Sequence, residues 1–171
     1  MIDKKIPVLS FVGRANTGKT TLIEKLITVL KIKGFKIAVI KHHHRDFEID
    51  IPGKDTYRLK KSGASAVIIS SPEKIALVQD TKKDLTINEI ISKYKIDADV
   101  IFTEGYKKAE MPKIEIYQER DGAPPICIDD KNLIAIVSDS PIQTHAPVFS
   151  RDDIEGIIGF LLSHFTLHIA H

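Results

Sequence analysis

Residues 13–20 read Gly13-Arg14-Ala15-Asn16-Thr17-Gly18-Lys19-Thr20, the pattern G-x-x-x-x-G-K-[ST], set between the apolar run Ile6 to Val12 and an amphipathic helical stretch. A loop bounded by glycines wraps backbone N–H groups around phosphate oxygens, and the helix that follows points the positive end of its dipole at the same anion. The octet therefore predicts a phosphate cradle on a strand–loop–helix unit. Lys19 reaches the β- and γ-phosphates as a point charge, and the Thr20 hydroxyl is a hard oxygen ligand for Mg²⁺. Gly13, Arg14, Ala15, Asn16, Thr17 and Gly18 contribute mainly backbone N–H groups. The alternative, a glycine turn that binds nothing, accounts for neither the lysine nor the flanking elements.

Outward from the loop, Leu22, Ile23, Leu26, Ile27 and Leu30 recur at helical spacing, and Gly34 stands where a helix stops. Lys36 to Ile40 is a short apolar strand, Lys54 to Gly63 a short helix after Pro52-Gly53, and Ala66 to Ser70 and Ile75 to Gln79 are further strands. Thr86 to Tyr94 reads as a weak helix, Ala98 to Thr103 as a buried strand, Ile114 to Tyr117 as an alternating one, and Leu133 to Ser138 as continuously apolar. Ser150 with Asp153 predicts a capped start for a closing helix whose stripe is Ile154, Ile157, Ile158, Leu161, Leu162 and Phe165. Strands alternating with helices predict an α/β fold of P-loop NTPase type, a mostly parallel twisted sheet flanked by helices, in a single nucleotide-binding domain over residues 1–171. The segment Gln118 to Lys131, with Gly122 and Pro124-Pro125, reads as a long loop. Together with the tract after Lys41 it is where partner contacts are expected.

Composition narrows the function. A chain of 171 residues that is 43% hydrophobic and 28% charged is ordinary for a globular protein. A formal charge of +2 gives no extended field for sequence-independent nucleic-acid binding. The one cysteine, Cys127, forms no internal disulfide. No stretch approaches the roughly 20 apolar residues of a membrane span, and Met1 to Lys5 runs into a strand without a secretory core, so cytoplasm is expected.

The remaining chemistry-bearing residues cluster at strand ends. Asp99-Val100-Ile101-Phe102-Thr103 leads into Glu104-Gly105, similar to a Walker B arrangement in which a carboxylate holds Mg²⁺ through water, against the plainer reading of a surface glutamate. Lys41 closes the second strand and adds a second positive charge beside the phosphates, or is a solvent lysine. His42-His43-His44 either puts two imidazoles on one face for a transition metal or an anion, or forms a solvated loop. Asp55 either holds a metal-bound water or favours its helix start through the dipole. Guanine is told from adenine by a carboxylate that accepts from N1–H and the exocyclic amine. Asp139, after the late apolar strand, is one candidate. The other is Asp84 in Thr81-Lys82-Lys83-Asp84, which matches [NT]-K-x-D but precedes the Walker B-like strand that it normally follows.

Taken together, Gly18-Lys19-Thr20-Thr21-Leu22, Ile40-Lys41-His42, Asp50-Ile51-Pro52-Gly53-Lys54-Asp55-Thr56-Tyr57-Arg58, Gly63-Ala64, Glu104-Gly105-Tyr106-Lys107, Pro112-Lys113-Ile114 and Ser138-Asp139 resemble the molybdopterin-guanine dinucleotide biosynthesis adaptor proteins, over nearly the whole chain. The Pro-Gly-Lys-Asp-x-Tyr-Arg tract is the most specific, since generic P-loop proteins lack it. In the family pattern Lys-His-x-His-His-Asp, this chain keeps Lys41, His42, His44 and Asp46 and has Arg45 in place of the second paired histidine. The resemblance implies a weakly hydrolysing homodimer that binds GTP and Mg²⁺ and assists a molybdenum cofactor guanylyltransferase, with molybdopterin itself a further candidate ligand. Its expected site is the loop with Lys19, Thr20, Thr21, Lys41, Glu104, Asp55 and Asp139. No water-orienting glutamine or arginine finger stands out beyond Arg14 and Arg58, so hydrolysis is expected to be slow. The competing readings are a small-molecule kinase and a His-rich metallochaperone GTPase.

Overall fold

The computed structural model describes residues 6–43, 46–119 and 122–167. The described residues up to His42 and from Ile96 onward fold as one compact unit, and His43–Lys95 forms a second.

The first unit is built on a six-stranded sheet. In chain order its strands are β1 (Val8–Val12), β2 (Ile37–Lys41), β5 (Val100–Glu104), β6 (Lys113–Ile116), β7 (Leu133–Val137) and β8 (Val148–Phe149). They lie side by side as β2-β5-β1-β6-β7-β8, and every neighbouring pair is parallel. Helix α1 (Lys19–Ile32) carries the chain from β1 to β2, and α4 (Ile154–His164) closes it. The stripe read from the sequence is the stripe that packs. Leu22, Ile23, Leu26 and Leu30 of α1 and Ile157, Ile158 and Leu161 of α4 are buried with Leu9, Phe11, Phe102, Ile114, Ile116, Ala135 and Val137 of the sheet. Phe11 and Phe102 meet edge to face at 5.0 Å across β1 and β5.

The opposite face carries a smaller cluster of Val12, Tyr117, Leu133, Ile136 and Ala146, to which Cys127 of the long loop contributes. Burial there pushes the Cys127 thiol up, and the Glu115 carboxylate nearby adds to the effect. The alternating residues of β6 are buried on both faces. Glu115 and Lys113 are each about 1% exposed, because the loop after Tyr117 folds back over them. Glu115 accepts from the Ile126 and Cys127 N–H groups at 2.7 and 2.8 Å, and Lys113 is ion-paired with Asp130. Burial pushes the Glu115 carboxyl up, opposed by those two N–H donors. The charges of β6 therefore anchor a loop that would otherwise have few ties.

The second unit contains α2 (Asp55–Lys61), the strands β3 (Ala66–Ser70) and β4 (Ile75–Gln79), and α3 (Ile87–Tyr94). β3 and β4 do not join the parallel sheet, contrary to the simple alternation of strands and helices. Four residues connect them, too few for a crossover, so they pair antiparallel as a separate hairpin. Ser71 closes that turn through its N–H to the Lys74 carbonyl at 2.8 Å. At α3 the Thr86 hydroxyl and the Glu89 carboxylate cap each other's backbone N–H groups reciprocally. Lys83 donates to the same carboxylate at 2.5 Å, and together these hold Glu89 down at about 2.

A second correction concerns α4. Its cap is Asp153, whose carboxylate accepts from the Gly156 N–H at 3.0 Å, whereas Ser150 turns toward Asp139. The two-residue strand β8, which the sequence reading missed, places Ser150 there by pairing with β7.

Leu26 is fully buried between α1 and the sheet. Leu26→Ala is expected to cost about 2–5 kcal/mol of unfolding free energy, the range for emptying a packed leucine site, measured by urea titration with an unchanged slope.

Candidate functional site

Parallel pairing sends the carboxyl ends of all six strands to one edge. β1 ends at Val12, one residue before Gly13, β2 at Lys41, β5 at Glu104 and β7 two residues before Asp139. The register sets Glu104 opposite Phe11 on one side and Lys41 on the other.

The loop from Gly13 to Thr20 is shaped by backbone positions that favour glycine. Gly13 has φ +146°, and a Cβ there would stand 2.4 Å from the Ile116 carbonyl oxygen of β6. Asn16 and Gly18 are left-handed, at +58° and +83°. Within the turn, the Thr17 hydroxyl donates to the Arg14 carbonyl at 3.0 Å. Lys19 Nζ donates to the same carbonyl at 2.7 Å, which holds the ammonium over the loop. Burial lowers the Lys19 pKa; Glu104 opposes this, and Lys107 and Lys41 push it further down. An anion in the cradle would relieve that charge crowding.

Thr20 is the second residue of α1. Its hydroxyl donates to Glu104 Oε2 at 3.3 Å, and Lys41 Nζ pairs with the same oxygen at 3.5 Å. Glu104 is 14% exposed at its side chain, so its charge is only partly screened by water. A hydroxyl and a carboxylate at this separation are the hard oxygen donors that Mg²⁺ takes, with water completing its shell. Among the described residues, no group of three or more His, Cys, Asp and Glu side chains is disposed to hold a metal ion.

Glu104-Gly105-Tyr106 also fixes the histidine tract. Gly105 has φ +106°, and a Cβ would lie 2.7 Å from the His42 carbonyl oxygen. The His42 N–H donates to the Glu104 carbonyl at 2.8 Å, and its ring lies 4.7 Å from that of Tyr106. His42 is thus packed at the end of β2; His44 lies outside the described residues.

Asp139 stands on the other side of the loop. It lines a cleft of about 240 Å³ with Gly18, Thr21, Leu22, Lys25, Val137 and Arg151, among others. Asp139 Oδ2 pairs with Arg151 Nε at 3.1 Å, and Oδ1 accepts from the Arg151 N–H and the Ser150 hydroxyl at 3.2 and 3.3 Å. Asp55 belongs to the second unit, where it opens α2 and faces Arg58 at 3.8 Å. Thr81-Lys82-Lys83-Asp84 lies there too, and its Lys83 serves the α3 cap.

The stretch that carries the loop and the Glu104 edge matches a known family. The model of molybdopterin guanine dinucleotide synthesis protein B, MobB, matches residues 8–139, which spans the loop, Glu104 and Asp139. The chain belongs to the MobB family. A relative from Escherichia coli strain K12, a molybdopterin-guanine dinucleotide biosynthesis adapter protein, is 37% identical over 92% of both chains. One of the same description from Haemophilus influenzae is 30% identical over 96% of this chain and 94% of its own. The crystal structure of a molybdopterin-guanine biosynthesis protein B, 29% identical, superposes with a TM-score of 0.73 over 92% of this chain and 99% of its own. The MobB homologue from Bacillus stearothermophilus shares the fold, with a TM-score of 0.70 over 94% of this chain and 99% of its own at 22% identity. The MobB fold is of the P-loop NTPase type that the octet predicts.

Arg151 is the site residue that the sequence reading did not single out. It follows the short β8, and an arginine between serine and aspartate carries no motif. Gly13→Ala is expected to lose nucleotide binding while keeping its secondary structure, because the new Cβ forces the loop away from β6. Circular dichroism alongside a fluorescent-nucleotide titration checks both halves.

Proposed function

We propose that this chain is a GTP-binding adapter of molybdopterin-guanine dinucleotide biosynthesis, holding Mg²⁺ and GTP for a guanylyltransferase partner. The observation that carries the reading is the convergence of Lys19, Thr20, Glu104 and Lys41 at one sheet edge in a chain of the MobB family. In this reading the N–H groups of residues 13–20 and Lys19 bind the phosphates. Thr20 and Glu104 hold the metal, which when bound neutralises phosphate charge. Lys41 pairs with Glu104 and orients it, Thr21 continues the cradle into α1, and Asp139 accepts from the guanine N1–H.

Arg14, a candidate for stabilising charge in phosphoryl transfer, donates to the Pro124 carbonyl at 3.2 Å and so is tied to the long loop. Hydrolysis by the chain itself is accordingly slow in this reading. The adapter role of the Escherichia coli and Haemophilus influenzae relatives favours delivery over the kinase and metal-carrier alternatives. Membrane insertion is not invoked, since no described helix is long and apolar enough to cross a bilayer.

Adding the chain with GTP and Mg²⁺ to a guanylyltransferase acting on limiting molybdopterin is expected to raise dinucleotide formation. Lys19→Ala should abolish the rise and weaken GTP binding by about 1.5–3 kcal/mol, the value of hydrogen bonds to charged groups. No stimulation by the unmodified chain would contradict the adapter reading.

The chain also acts as a homodimer in this proposal. Support comes from the β3–β4 hairpin, which exposes Ile68, Ile75 and Leu77, on one face by their register, to the extent of 60%, 70% and 39%. Ile68→Asp with Leu77→Asp is expected to shift a dimer to monomer in light scattering after size-exclusion chromatography. An unchanged mass would remove the hairpin from the interface.

A further inference from the structure

We infer that Arg151 is a positioning residue that couples the base-reading carboxylate Asp139 to the phosphate loop, and so sets purine selectivity. The inference rests on the reading of the cleft beside α1 as a nucleotide site. Its basis is the way one guanidinium is used. Nη1 donates to the Thr17 carbonyl at 2.8 Å, Nη2 donates to the Tyr117 carbonyl at 2.8 Å, and Nε pairs with Asp139 Oδ2 at 3.1 Å. The three acceptors belong to the phosphate loop, the end of β6 and the end of β7. A Cβ on Gly18 would come within 3.1 Å of Nη1, so the fork lies directly against the loop.

The planar fork matters because it offers several donors in fixed directions, whereas a lysine offers a point charge. Two of the contacts are to backbone carbonyls, so the loop and the β6 end are held in one geometry relative to each other. The third fixes the carboxylate. Asp139 Oδ1 is held in addition by the Arg151 N–H and the Ser150 hydroxyl, leaving little freedom to rotate. An ionised carboxylate has about four lone-pair sites, so these contacts leave acceptor capacity for a ligand in the cleft. The Asp139 side chain is 60% exposed and the Arg151 side chain 26%, which fits a carboxylate presented outward by a more buried cation.

A carboxylate so oriented accepts from a base that offers N1–H and an exocyclic amine, as guanine does. Adenine offers an unprotonated N1 to the same group and is repelled. Xanthine keeps N1–H but has a carbonyl at C2, so it faces Asp139 with a mismatch that an asparagine would relieve. Arg151 itself need not touch the base. It acts by holding Asp139 at a set distance from the phosphates, so that one nucleotide reaches both at once.

The test is competitive titration of the full chain with GTP, XTP, ATP and inorganic tripolyphosphate in Mg²⁺, for Arg151→Gln, Arg151→Lys and Asp139→Asn. Arg151→Gln is expected to lower GTP affinity by about tenfold or more while ATP and tripolyphosphate fall by less than about threefold, so the preference for GTP over ATP shrinks. Arg151→Lys, which retains the charge without the fork, is expected to shrink that preference by an intermediate factor. Asp139→Asn is expected to shift preference from GTP toward XTP, and adding Arg151→Gln to it should change selectivity no further. Equal losses for GTP, ATP and tripolyphosphate would reduce Arg151 to a brace for the loop and overturn the inference. Unchanged selectivity in both Arg151 variants while Asp139→Asn still favours XTP would overturn it and leave the base site standing. Failure of the unmodified chain to bind any of these would overturn the nucleotide reading and this inference with it.

Discussion

Because β1 is hydrogen-bonded in parallel on both sides, to β5 and to β6, each strand of the main sheet delivers its carboxyl end to the same edge. The loop that leaves β1 then has Glu104 and Lys41 on one flank and Tyr117 and Asp139 on the other. The chain from β1 turns toward β2, β5 is then inserted between the two, and β6, β7 and β8 build outward on the far side of β1, so the strand order reverses at the loop. That reversal opens a crevice beyond the strand ends, the place where open α/β sheets receive ligands. Pairing geometry thus collects residues that lie more than a hundred positions apart in sequence into one site.

Two kinds of polar interaction hold this edge in shape. On one side, Thr20, Glu104 and Lys41 form a chain of alternating donor and acceptor in which a poorly hydrated carboxylate gathers a hydroxyl and a cation. On the other, a guanidinium fork and two buried charges of β6 tie down backbone that would otherwise be loop. Glu115 and Lys113 belong to this second group. Removing either partner would strand a buried charge, which costs far more than an exposed pair gains. The long loop after Tyr117 therefore belongs to the architecture of the site, through the Arg14 contact to Pro124 and the anchors on β6.

Much of this was legible in the residues themselves. The Gly13–Thr20 octet, the stripe of α1 and the apolar strand before Glu104 each have a local physical signature, and the structure brings the three together. What escaped depends on partners distant in sequence. The alternation in β6 leaves the surroundings of its polar residues open, because period alone cannot tell a solvated glutamate from one satisfied by the Ile126 and Cys127 N–H groups. β8 has two residues and no periodicity, so neither it nor the placement of Arg151 was foreseeable. Ser150 looks like a helix cap, yet the carboxylate of Asp153 is the better placed acceptor and frees the serine for Asp139. β3 and β4 look like members of the sheet until the shortness of their connection is weighed.

In the proposed function the Gly13–Thr20 loop, with Thr20 and Glu104, binds the phosphates of a guanine nucleotide through Mg²⁺. Its most direct measurement is calorimetric titration of GTP into the full chain, with Mg²⁺ present and with EDTA in its place. One nucleotide per chain, bound more tightly with Mg²⁺ and displaced by excess tripolyphosphate, is expected. Binding that is indifferent to both Mg²⁺ and tripolyphosphate, or no binding at all, would contradict it.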